Sequence, residues 1–193
     1  MKNARLFNTQ MGRGIVLVIS CAIFLSAVPC RCAPGEESPT SVIQDYCRLD
    51  QEGARLSGQN LNNERISALV AWSVEPGWDS AVVIRSFAIL RGNAGQSTSS
   101  VTVRYTLLGE MMGAHVTASR KQEEVVTFAL NRSGNKWKID LPLIPPHIST
   151  QAAIVALKSL LKNEKEPGQI KRLNAGIGLL TEWERAGESL KKP

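Results

Sequence analysis

The sequence predicts an α+β protein: N-terminal helices packed on a curled antiparallel β-sheet, followed by a C-terminal helical hairpin. Three observations carry this. Apolar residues recur at three- and four-residue spacing up to about residue 57, and they then alternate with polar ones in short runs between 81 and 141. Beyond the prolines at 142, 145 and 146 the helical spacing returns. With 193 residues, 43% of them hydrophobic, a core can be buried, and the expected organisation is one domain with an appendage. The expected division is a signal peptide over 1–33, the α+β domain over 34–142 and the hairpin over 143–193.

The leader reading comes from charge and hydropathy. Residues 1–33 hold Lys2, Arg5, Arg13 and Arg31 and no acid, followed from 15 to 28 by an uncharged apolar run. That run has the length of a signal-peptide core and is short for a membrane span. Export to a periplasm or the exterior is therefore expected, with an uncleaved anchor as the alternative. No clean cleavage motif marks the mature start, and the Val18-Ile19-Ser20-Cys21 stretch is a poor lipidation site because it would leave an apolar leader behind. The leader also carries +4 of the formal +6, so the body is only weakly basic and nucleic acid is not an expected partner. Of the four cysteines, Cys47 alone lies clear of the leader region, which leaves no disulfide framework.

Helix one is expected over 39–57. Ser38 is placed to cap it, Pro39 suits the first helical position, and Gly58 is the expected stop. Val42, Tyr46, Leu49, Gly53 and Leu56 form its apolar stripe. A shorter helix is expected over 63–72, capped by Asn62, with Leu61 and Ile66 as a hydrophobic staple. The first strand, 81–91, is apolar with mixed faces, and 92–100 is a polar connector. The second, 101–107, alternates with Val101, Val103, Tyr105 and Leu107 on one face. The third, 123–130, turns Val126, Phe128 and Leu130 inward, and a turn over 131–135 leads to the fourth. There Trp137, Ile139 and Leu141 face in while Lys136, Lys138 and Asp140 face out. The prolines close the sheet. Two helices follow, over 150–163 and 167–190. The first places Ala153, Leu157, Leu160 and Leu161 on one side, and the second Ile170, Leu173, Ile177 and Leu180.

Helix, short helix and curled sheet ending in the hairpin FALNRSGNKWKID (128–140) resemble the NTF2-like superfamily, a cone-shaped α+β fold, over about residues 38–142. Cystatin-like folds share this loose Gly…Trp-x-Ile ending. The resemblance implies a pocket between the sheet and helix one, but no particular activity, because the superfamily hosts enzymes, carriers and interaction modules. The C-terminal hairpin lies outside the family pattern.

Enzymatic members of that superfamily carry an Asp or His base and a Tyr or Asp donor in the pocket. The matching positions here are Tyr46 and Asp50, four residues apart on helix one, and Tyr105 on a strand. Tyr46 and Tyr105 read as core aromatics and Asp50 as solvated, so no catalytic residue is assigned. His115 and His147 have neither a nucleophile nor a metal partner in the pattern, and no metal or cofactor is expected. Met111 and Met112 beside Gly113 belong to a hairpin connector or, alternatively, a pliable lid. Arg85, Arg104, Lys136 and Lys138 suggest a solvated basic sheet face, and Asn131-Arg132-Ser133 matches a glycosylation sequon.

The first functional expectation is an exported, non-catalytic domain that holds a small apolar ligand against Tyr46, Tyr105, Phe128, Trp137 and Ile139, or fills that space as core. The second is an interaction or oligomerisation protein whose hairpin docks on a protein partner or a second copy through Leu157, Leu161, Ile170, Leu173, Ile177 and Leu180. The third is a small isomerase or cyclase-type enzyme. No membrane span is expected in the mature chain.

Overall fold

The computed structural model describes residues 37–56 and 64–189. The expected leader, the Gly58 stop, the Asn62 cap and Leu61 lie outside these residues. In chain order the elements are α1 (Pro39–Gln51), α2 (Glu64–Ser67), β1 (Ala81–Ala94), β2 (Thr98–Met112), β3 (His115–Ala118), β4 (Glu123–Ser133), β5 (Lys136–Leu141), β6 (His147–Ser149), α3 (Thr150–Leu161) and α4 (Pro167–Ser189). The fold is α+β, with a strongly curled sheet and a C-terminal helix pair.

α1 begins as expected. The Ser38 side chain accepts from the Ser41 amide, Ser41 answers in a capping box, and Pro39 sits in the first turn. It ends earlier than expected, at Gln51. Gly53 takes φ +88°, its amide donates to the Asp50 carbonyl, and the Ala54 amide donates to the Leu49 carbonyl. This is the Schellman closure, and it needs a residue that tolerates the left-handed region. Gly53 is therefore a stop rather than part of the stripe. α2 is also shorter than expected, because residues 69–71 leave the helix to pair with the edge of β5. The Ile139 amide donates to the Leu69 carbonyl, and the Ala71 amide to the Ile139 carbonyl.

The sheet runs β5-β4-β2-β1-β6, with β3 paired to β2. It is mixed rather than purely antiparallel, since β6 lies parallel to β1, with Val82, Val83 and Ile84 opposite His147, Ile148 and Ser149. The prolines do close the β4–β5 hairpin, but they carry the chain back across to the far edge of the sheet instead of out of it. Three register shifts along β1 account for its mixed faces. A fourth shift, between Ala129 and Leu130, places Leu141 opposite the exposed Ala129, so Leu141 is exposed rather than inward as its alternation with Ile139 suggested. The segment around 109–117 is a tight hairpin turning at Gly113, which has φ +55°.

Two apolar cores result. The first joins Val42, Ile43 and Tyr46 of α1 with inward residues of β2, β4 and β5, among them Tyr105, Phe128 and Ile139. The second joins Ala81, Val83, Met111 and Ile148 to Leu157 of α3 and to Leu173 and Leu180 of α4. A Cβ on Gly109 would collide with the Thr117 carbonyl oxygen and the Trp183 ring, so that strand–helix contact requires glycine. Residues 143–189 thus supply both an edge strand and most of the second core.

Candidate functional site

The four-residue spacing of Tyr46 and Asp50 puts both on the inner face of α1. The Schellman turn then folds Arg55 back toward them. Its Nη1 donates to the Tyr46 hydroxyl at 2.7 Å and to Asp50 Oδ2 at 3.4 Å. Nε and Nη2 grip Glu75 in a bidentate pair at 2.9 and 2.8 Å, and Nη2 also donates to the Ile144 carbonyl at 2.8 Å. All five N–H groups of the guanidinium are therefore used. Glu75 is equally engaged. Its Oε1 accepts from Trp72 Nε1 at 3.2 Å and its Oε2 from Trp78 Nε1 at 2.8 Å, each beside an arginine donor. Asp50 Oδ2 also accepts the His147 amide at 2.8 Å, whereas Asp50 Oδ1 is buried without a partner.

The cluster ties α1 to the loop before β1 and to the proline segment that leads into β6. Burial raises the Asp50 carboxyl above its ordinary range, against the pull of Arg55 and the His147 amide. Burial alone would raise Glu75 as well, but the Arg55 hydrogen bonds and charge, with the two indoles, outweigh it and hold Glu75 below its ordinary value. Asp50, read as solvated from the sequence, is in fact 1% exposed. Its helical spacing from Tyr46 was the available signal. Nothing in the pattern announced that Arg55, in the turn just past the end of α1, would fold back to meet it.

His147 is buried against Tyr105, with ring centroids 4.3 Å apart. Its Nδ1 donates to the Pro145 carbonyl at 2.8 Å, and its Nε2 faces Glu124 Oε2 at 3.4 Å, which lowers the Glu124 carboxyl. Beyond it, the Tyr105 hydroxyl meets Cys47 Sγ at 3.2 Å. This row is not an activated nucleophile. Burial pushes the Cys47 thiol up to about 12, it also raises the Tyr105 hydroxyl, and neither imidazole nitrogen faces the sulfur. His115 is exposed at the start of β3, and among the described residues no group of side chains could hold a metal ion.

The open site is a groove of about 980 Å³ beside the polar cluster. Arg55 and Glu75 reach its wall, along with Glu52, Trp78 and Asp79. The other wall is α3. Ala152, Val155, Ala156, Ser159 and Leu160 recur at three and one along that helix and line the groove, while Ala153, Ile154 and Leu157 point into the second core. α3 is therefore apolar on two faces, and Val155 and Leu160 remain 58% and 53% exposed. Leu160, grouped with Leu157 by spacing, belongs to the groove face.

The five expected pocket residues meet one another but not the groove. Tyr46, Tyr105, Phe128, Trp137 and Ile139 are all buried in the first core, with Tyr46 edge-on to Phe128 at 5.7 Å, and none lines the groove. Leu157, Leu173 and Leu180 are buried in the second core, Leu161 and Ile177 pack against it, and Ile170 is half-buried on α4. Arg104 faces Glu123 at 3.7 Å, so the outer sheet face is not uniformly basic. No family model, curated protein or solved structure matches the chain. Among the described residues no helix is long and apolar enough to cross a membrane.

Proposed function

We propose that the protein is an exported, non-catalytic domain of the NTF2-like type, with its N-terminal helices covering the curled sheet, and that it binds a small molecule in the groove beside Arg55 and Glu75. The observation that carries this reading is the second apolar face of α3. A helix presents Val155 and Leu160 to an open groove at a cost in exposed apolar surface, and a bound ligand would offset that cost. The volume lies within the range of small-ligand sites, and the apolar wall with a few fixed polar groups has their usual make-up. In this reading the ligand site has moved from the cone interior, where core side chains fill the space, to the flank of the cone.

The enzyme alternative draws on Asp50, a carboxyl raised by burial next to Tyr46. Both groups are committed to Arg55, however, and neither lines the groove, so a substrate there would not reach them. The hairpin-docking alternative has three of its six residues inside the chain's own core.

Native mass spectrometry of the protein exported by its own leader tests the proposal. The expected spectrum shows a chain cleaved near residue 33 and carrying extra mass that disappears on denaturation. A bare, uncleaved chain would count against both the export and the ligand readings.

A further inference from the structure

The charges around the groove say what kind of ligand it takes, and the inference rests on the groove being the binding site. Among the described residues, three carboxylates and one guanidinium line it. The guanidinium is Arg55, and every one of its N–H groups already has a protein acceptor. A carboxylate or phosphate head would find no free donor there and would meet Glu75 at once. Glu75 in turn is neutralised by Arg55 and by two indoles. Glu52 shares its charge with Arg48 at 3.0 Å. That leaves Asp79, an exposed carboxylate next in sequence to Trp78. The Trp78 indole is fixed by its donation to Glu75 Oε2 at 2.8 Å, and it also lines the groove. A held indole beside a carboxylate that has no cationic partner among the described residues is a setting for an organic cation, attracted by the ring face and by the charge together. The groove wall of α3 carries no charged residue.

We propose that the groove binds an amphiphilic organic cation, an alkyl or aromatic amine, with its head at Trp78 and Asp79 and its apolar body along Ala152, Val155, Ala156 and Leu160 of α3.

The test is calorimetric titration of the full chain with three probes of equal length: octyltrimethylammonium, octanoate and octanol. The expected order is the cation tightest, by about tenfold over octanoate, the size of one cation–π contact and one carboxylate contact combined. Asp79→Asn should remove most of that preference while leaving octanol binding unchanged. Val155→Trp, at an exposed position that need not disturb the core, should weaken all three.

If octanoate binds as tightly as the cation, or Asp79→Asn leaves the order intact, the cation assignment fails while the groove reading stands. If no probe binds saturably, or Val155→Trp changes nothing, the groove reading fails with it. Two further results would also overturn the assignment. One is binding of a short Leu/Lys amphipathic peptide without binding of the cation, which would mean a helical partner. The other is a dimer that Val155→Trp dissociates, which would mean a second copy fills the groove.

Discussion

Arg55 answers two carboxylates and a tyrosine in the interior, and its own side chain is shielded from solvent. Removing one member of such a set leaves the others charged and uncompensated. Arg55→Met should therefore cost about 3–5 kcal/mol in urea unfolding, despite adding an apolar side chain of similar length. A loss below about 1 kcal/mol, the level of a surface pair, would mean the cluster is not desolvated as described.

Asp50 gives a pH signature of opposite sign to its neighbours. Glu75 and Glu124 are lowered in the folded state, so their stabilisation is present above the ordinary carboxylate range and is lost as the pH falls through their folded values. Asp50 is raised, so its folded form takes up a proton before its unfolded form does, and stability from this group grows as the pH falls toward the unfolded value. It partly offsets the acid loss. Asp50→Asn should then make stability fall more steeply as the pH drops toward the ordinary carboxylate range, the window between the raised folded value and the unfolded one. Parallel curves for the variant and the parent, from denaturant midpoints across pH 3 to 7, would contradict this assignment.

At the scale of elements, α3 serves two neighbours. Its Ala153, Ile154 and Leu157 face closes the second core, and its Val155 and Leu160 face borders the groove. Ending the chain at Pro145 removes β6, α3 and α4 together. It also uncovers Ala81, Val83 and Met111 and deletes the amide that Asp50 accepts. The shortened protein should be insoluble or aggregated in size-exclusion chromatography, whereas a soluble monomer would make the helix pair an appendage.

Element types were largely legible in the sequence, because alternation and helical spacing report one-sided burial directly. The end of α1 was not. Gly53 fits an apolar stripe by spacing, and its role as a left-handed stop depends on which carbonyls its amide and that of Ala54 meet. β6 was hidden for a similar reason. Three residues after two prolines carry no period, and only the open edge of β1 makes them a strand. The exposure of Leu141 follows from a bulge that no local pattern marks.

At the scale of the whole molecule, the aromatic residues that spacing turned inward do turn inward, but they fill the concave side of the sheet rather than line a space. Val42, Ile43 and Tyr46 enter from α1, Tyr105, Phe128 and Ile139 come from the strands, and all are buried. These side chains form one buried cluster, and a close-packed interior does not admit a ligand without displacing side chains. The groove escaped sequence reading because its lining comes from separate stretches, Glu52 to Leu56, Glu75 to Ala81 and Ser149 to Leu160 among them, that only the fold brings together.

The proposed ligand groove lies beside α3, apart from the buried aromatic core. The most direct measurement is a two-dimensional NMR titration of the isotope-labelled chain with octyltrimethylammonium. The signals expected to move are the amides of Gly53, Gly113, Ala152 and Val155 and the Trp78 indole N–H. Shifts confined instead to Tyr46, Tyr105, Phe128, Trp137 and Ile139 would contradict the proposal and return the site to the first core.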